Sequence, residues 1–174
     1  MKTVIKKLLP IILIFATLFT LSGCGDKEWK TYKEGEFVYT LPRTMKKLSV
    51  PAEYADIVFG NSDGAEFCLF FYTPDQLFDT PISLDKQCTT EEYADKYFSL
   101  MDGLKIYTGL VRTYDPETDV TVQTYIYEPE NLFFYDYIIR NENVLVHVWM
   151  VVDADLREQY EPIFADWASR CYLK

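Results

Sequence analysis

The 174-residue chain carries 27 acidic against 17 basic residues, a net charge of −10 at neutral pH, and that balance disfavours nucleic acid as a partner. Its single histidine, His147, excludes a multi-histidine metal centre and leaves any serine or cysteine nucleophile one possible imidazole. No Gly-rich phosphate loop, Gly-x-Ser-x-Gly elbow or Cys-x-x-Cys pair occurs, which removes the usual signatures of nucleotide binding, α/β-hydrolase chemistry and dithiol redox work.

Lys2, Lys6 and Lys7 precede a charge-free apolar run of 14 residues, Leu8 to Leu21. A spanning helix needs ~20, so the segment reads as a signal peptide. Leu21-Ser22-Gly23-Cys24 follows at once and resembles the lipobox of bacterial lipoproteins, in which small residues admit the signal peptidase and the cysteine sulfur carries diacylglycerol. The resemblance implies that residues 1–23 are removed and that Cys24 becomes a lipidated N-terminus, holding the protein to the cell membrane on its extracytoplasmic face. Each buried methylene contributes ~0.8 kcal/mol, so two or three acyl chains suffice without a further hydrophobic segment. The other reading is an ordinary secretory signal with Cys24 a free or disulfide-bonded thiol. Three lysines and no acid leave with the segment, so the remaining 151 residues carry −13. That length suits one domain, and that charge favours a cationic or neutral partner over anionic lipid headgroups.

Cys68, Cys88 and Cys171 remain, and three cannot all pair within one chain. Cys68 lies in a strongly apolar run and reads as a small buried hydrophobe. Cys88 and Cys171 are then the candidate disulfide, which an extracytoplasmic site permits.

Gly25 to Lys33 is polar, with Trp29 and Tyr32 its bulky apolar residues, and residues 24–34 are expected to be the lipidated cysteine and a tether reaching about 30 Å at most ~3.5 Å per residue. The folded domain is expected over 35–174. Gly35 to Leu41 reads as a strand stopped by Pro42, and Tyr54 to Gly60 with Ala65 to Tyr72 as a hairpin about Asn61-Ser62-Asp63-Gly64. Thr73 to Gln87 reads as a loop. Thr89 with Glu92 three residues on is a capping box for a helix from Thr90 to about Asp102, whose face is lined by Tyr93, Tyr97, Leu100, Met101 and Leu104, with Gly103 as its terminator.

Four strands follow, Lys105 to Tyr114, Val120 to Tyr127, Leu132 to Arg140 and Val144 to Val152, joined by links short enough to require antiparallel neighbours. Both faces of the last are largely apolar, so the sheet must be covered on both sides. Leu156, Tyr160, Ile163, Phe164, Trp167 and Cys171 share one helical face. Because proline in a helix interior costs ~3 kcal/mol, the pattern predicts a short turn from Asp155 and a main helix starting near Glu161, with Pro162 at its first position.

Gly35-Glu36-Phe37-Val38-Tyr39-Thr40-Leu41-Pro42 looks like the opening strand, and Tyr160-Glu161-Pro162-Ile163-Phe164 with Trp167 and Ser169 like the closing helix, of Mog1/PsbP-like domains. The resemblance spans roughly 35 to 173 and departs at Met45, where such domains often carry tryptophan. It implies an α+β fold, an antiparallel sheet of about six or seven strands sandwiched between helices. The family includes photosystem assembly proteins, a nuclear-transport regulator that binds a small GTPase, and bacterial lipoproteins of unknown role; none of their functional residues can be placed on this chain.

His147 reads chiefly as a satisfied core or sheet-surface histidine, with a catalytic or pH-sensing role as its alternative. Asp115, Glu117 and Asp119 alternate in a turn, a spacing hard cations accept, yet the turn lacks the glycine and terminal glutamate of a calcium loop, so a solvated hairpin tip is the better reading. Asp136 and Arg140 share a strand face and could ion-pair or line a pocket. Aromatic residues make up 17% of the chain, 14 of them tyrosine; core packing accounts for most, and tyrosine also recognises partners. The expectation is a membrane-anchored binding or assembly module for a protein or small ligand, needing no cofactor. The contrasting one is a hydrolase or metal-dependent enzyme using His147 or the turn at 115–119.

Overall fold

A computed structural model describes residues 28–51, 54–79, 84, 85, 87–102 and 106–174. Its order is β1 (Trp29–Glu34), β2 (Phe37–Pro42), β3 (Lys46–Leu48), β4 (Ile57–Gly60), β5 (Glu66–Tyr72), α1 (Pro74–Asp79), α2 (Thr90–Asp102), β6 (Tyr107–Asp115), β7 (Val120–Tyr127), β8 (Leu132–Arg140), β9 (Leu145–Asp153), α3 (Arg157–Ala168) and β10 (Tyr172–Leu173). Strands β3-β4-β5-β9-β8-β7-β6 form a seven-stranded sheet and β1-β2-β10 a separate three-stranded one, and every pairing is antiparallel.

The large sheet is covered on both sides, as the apolar faces of β9 require. Val146, Val148, Met150 and Val152 face a cluster containing Phe164, Trp167 and the small sheet's Phe37, Tyr39 and Leu41. On the other face Leu145 and Ile138 pack with Tyr93 and Ala94 of α2 and Leu77 of α1. The capping box of α2 is reciprocal: Thr89 N–H donates to Glu92 Oε2 at 2.8 Å and Glu92 N–H to Thr89 Oγ1 at 3.1 Å. The expected end of that helix at Gly103 lies outside the described residues. In the β4–β5 hairpin Asn61 Oδ1 accepts from Asp63 N–H and Ala65 N–H at 2.9 and 3.0 Å, and Gly64 takes φ +79, a conformation glycine adopts without a Cβ penalty.

Several expectations need correction. Residues 29–34 are not tether but strand β1, hydrogen-bonded along Phe37–Pro42; half-buried Trp29 and Tyr32 join the core. Strand β2, expected in the main sheet, belongs to the small one. Part of the expected loop at 73–87 is helix α1. The closing helix starts at Arg157, so Pro162 lies inside it. Pro162 and Glu158, four residues earlier, are both exposed, so the carbonyl that loses its bond can be hydrated, while Tyr160, Phe164 and Trp167 are buried along the opposite face.

Candidate functional site

The chemistry-bearing residues singled out in the sequence separate into a buried network and a surface turn. His147, on β9, is 1% exposed and Asp136, on β8, is fully buried. Antiparallel register sets Asp136 opposite Trp149 and Ile138 opposite His147, so both side chains point to the α2 face. Trp149 Nε1–H donates to His147 Nε2 at 2.9 Å. The imidazole proton therefore sits on Nδ1, which lies 3.1 Å from the Tyr93 hydroxyl of α2 and donates to it. Asp136 Oδ2 is 3.3 Å from the same Nε2 and accepts from Gln123 Nε2 at 2.8 Å.

Gln123 is fixed in turn: its Oε1 accepts from Arg112 Nε at 2.8 Å, and Arg112 pairs with Asp95 of α2 at the surface. One polar chain thus runs from the helix surface through β6, β7 and β8 to β9 and back to the helix. Asp136 Oδ1 has no hydrogen-bond partner of good geometry among the described residues. The neighbouring Tyr125 hydroxyl is held well above its ordinary range, by burial first and by the Asp136 charge second, and so remains a proton donor beside the carboxylate. Tyr97 is raised by the same two causes. This arrangement ties α2 to the sheet and offers no atom of His147 to a substrate.

The acidic turn is spent on local structure. Asp115 accepts from Glu117 N–H at 3.0 Å and from Thr118 Oγ1 at 2.7 Å; these hydrogen bonds, Thr118's foremost, hold its carboxyl below the usual range. Asp119 turns the other way, accepting from Thr90 N–H and Oγ1 at 2.9 and 3.1 Å, and lies 3.7 Å from Arg140. The three carboxylates do not converge, and no group of three or more potential metal ligands occurs among the described residues. Asp136 and Arg140 do not pair: Arg140 turns to Asp119 and to the Cys88 carbonyl.

Cys88 and Cys171 are both free and sit in clusters on opposite faces of the large sheet, so the candidate disulfide is not formed. Cys68 is buried, as expected of an apolar strand. The proposed lipidation residue, Cys24, lies outside the described residues.

A feature that no motif announced is a groove of about 480 Å3 between the two sheets, lined by Glu34, Gly35, Glu36, Asp56, Ile57, Phe71, Asn143 and Val144. Its floor is apolar, and its rim carries three carboxylates and no cation. Glu36 holds the rim together, accepting from Asn141 Nδ2 at 2.6 Å and from Asn143 Nδ2 at 3.3 Å, while Asp56 Oδ2 accepts from Phe71 N–H at 2.8 Å. Nothing in the linear sequence joins residues 34–36, 56, 71 and 143; the docking of the small sheet does.

The fold is PsbP-like: an α+β arrangement of a seven-stranded antiparallel sheet with a second sheet and helices. It is similar to the solution structure of cyanobacterial PsbP (CyanoP) from Synechocystis sp. PCC 6803, with a TM-score of 0.62 and 11% sequence identity over 89% of this chain and 99% of that one. At that identity the likeness speaks to fold alone. No family model matches the chain, and no curated protein matches it either.

Proposed function

We propose that the protein is a lipid-anchored extracytoplasmic binding or assembly module that performs no chemistry of its own. The observation that carries this reading is the burial of His147, the chain's single imidazole, at 1% exposure with both ring nitrogens engaged by protein groups. A general base must come within hydrogen-bond reach of the proton it abstracts, and here the helix stands in the way. Asp115 is likewise occupied within its turn and Asp119 with Thr90 of α2, so the acids at 115–119 do not converge on one point. The groove between the sheets is open to a partner, and its apolar floor and acidic rim suit a segment that offers an apolar side chain beside a cation.

The test is complementation of a strain lacking the protein. His147→Gln, assayed at a temperature where it is folded, is expected to restore the wild-type phenotype, whereas Glu34→Lys combined with Phe71→Ala at the groove is not. A stably folded His147→Gln protein that fails to complement would turn the argument to the enzymatic reading.

A further inference from the structure

The cations of this acidic protein are not spread evenly. Arg112, Arg140, Arg157 and Arg170 each pair with a carboxylate. Lys30, Arg43, Lys46 and Lys47 pair with none among the described residues, and together they line one hollow of about 430 Å3 whose remaining walls are Tyr32, Met45 and Phe59. The hollow holds four cations and no acid. Lys30 stands over the Tyr32 ring at 4.7 Å, and Lys46 Nζ donates to the Arg43 carbonyl at 2.9 Å, so both side chains are held rather than free to fold away. Exposed Leu48 continues strand β3 beyond them.

Two strand edges build the hollow, β1 of the small sheet and β3 of the large one, and its position relative to the chain's entry is fixed. Arg43 N–H donates to the Glu28 carbonyl at 2.6 Å, so the cations gather where residue 28 enters the fold. The same strand β1 ends at Glu34, on the acidic groove.

We infer that this hollow is a docking surface for anionic phospholipid headgroups of the membrane to which Cys24 is tied. The inference rests on the lipid-anchor reading. With β1 beginning at Trp29, Cys24 and the fold are separated by residues 25–28, a reach of at most about 18 Å, not the 30 Å of a longer tether. The basic end of β1 is therefore held within a short distance of the headgroups, whose potential falls off over about a Debye length. Net charge argues against such a contact for the molecule as a whole; segregation of four unpaired cations beside the anchor reverses it locally.

The experiment uses the mature lipidated protein reconstituted in vesicles of phosphatidylcholine, with or without phosphatidylglycerol, and follows acylation of individual lysines by mass spectrometry. Lys30, Lys46 and Lys47 should react roughly fivefold more slowly, or slower still, on the anionic vesicles, and Lys96, on the far face of the large sheet, equally in both. The protection should vanish in 1 M salt, and Lys46→Glu combined with Lys47→Glu should abolish it at Lys30. Equal rates at Lys30, Lys46 and Lys47 on the two vesicles would overturn the inference. So would protection on neutral vesicles by added glycerol phosphate to the same extent, which would mark a soluble anion as the occupant. An N-terminal peptide without acyl chains would sink the anchor reading itself, a result read from the same spectra and distinct from either outcome.

Discussion

The Tyr93 hydroxyl of α2 and Nδ1 of His147 on β9 lie 3.1 Å apart, and this contact joins the helix to the centre of the sheet it covers. Both residues are buried, at 1% exposure each. Removing the hydroxyl leaves a buried N–H without an acceptor, which costs about 1 to 3 kcal/mol. Tyr93→Phe should therefore lower the melting temperature by roughly 2 to 12 °C for a domain of this size. Calorimetry showing no change would mean that water or a shifted ring replaces the bond.

Trp167 is 2% exposed and stacks at an angle against Phe164 and Phe67, with ring centroids 5.3 and 6.4 Å away. Trp167→Ala removes the largest side chain joining α3 to the sheet and should cost about 3 to 5 kcal/mol. Chemical denaturation is the direct measurement; a loss below about 1 kcal/mol would contradict the packing described for that face.

Burial pushes the Cys171 thiol from 9.0 up to about 12. The unfolded chain releases this proton near pH 9 and the folded one does not, so the associated stability is complete below pH 9 and declines as pH rises from about 9 to about 12. The slope is about 1.4 kcal/mol per pH unit for one such group. Cys171→Ala should flatten the fall in stability across that window relative to the parent, whatever it does to stability at pH 7. Identical slopes would show that the thiol ionises in the folded state.

Cys24→Ala tests the anchor separately from the fold. The variant should lose fatty-acid labelling and either appear in the soluble fraction or retain residues 1–23. A processed variant that still sediments with membranes would remove the lipid-anchor reading.

Local chemistry made much of the architecture legible in advance. The Thr89 and Glu92 pair marked the start of α2, the strands at 120–127 and 132–140 have the limits that their turns set, and the two-sided apolarity of β9 required cover on both faces. These are short-range properties: a capping box, a turn or an alternation is complete within a few residues. Strand β1 gave no such signal, because a strand at the edge of a small sheet has exposed polar residues and only Trp29 and Tyr32 to bury, so it resembles a tether until β2 pairs with it. The start of α3 was likewise decided by tertiary packing, where the burial of Tyr160, Phe164 and Trp167 on one face outweighs the hydrogen bond lost at solvent-facing Pro162. The partners of His147, the acidic groove and the basic hollow lie further still from local rules. Each joins residues from three or more separate elements or turns, and only sheet register and the docking of helix and small sheet bring them within reach of one another.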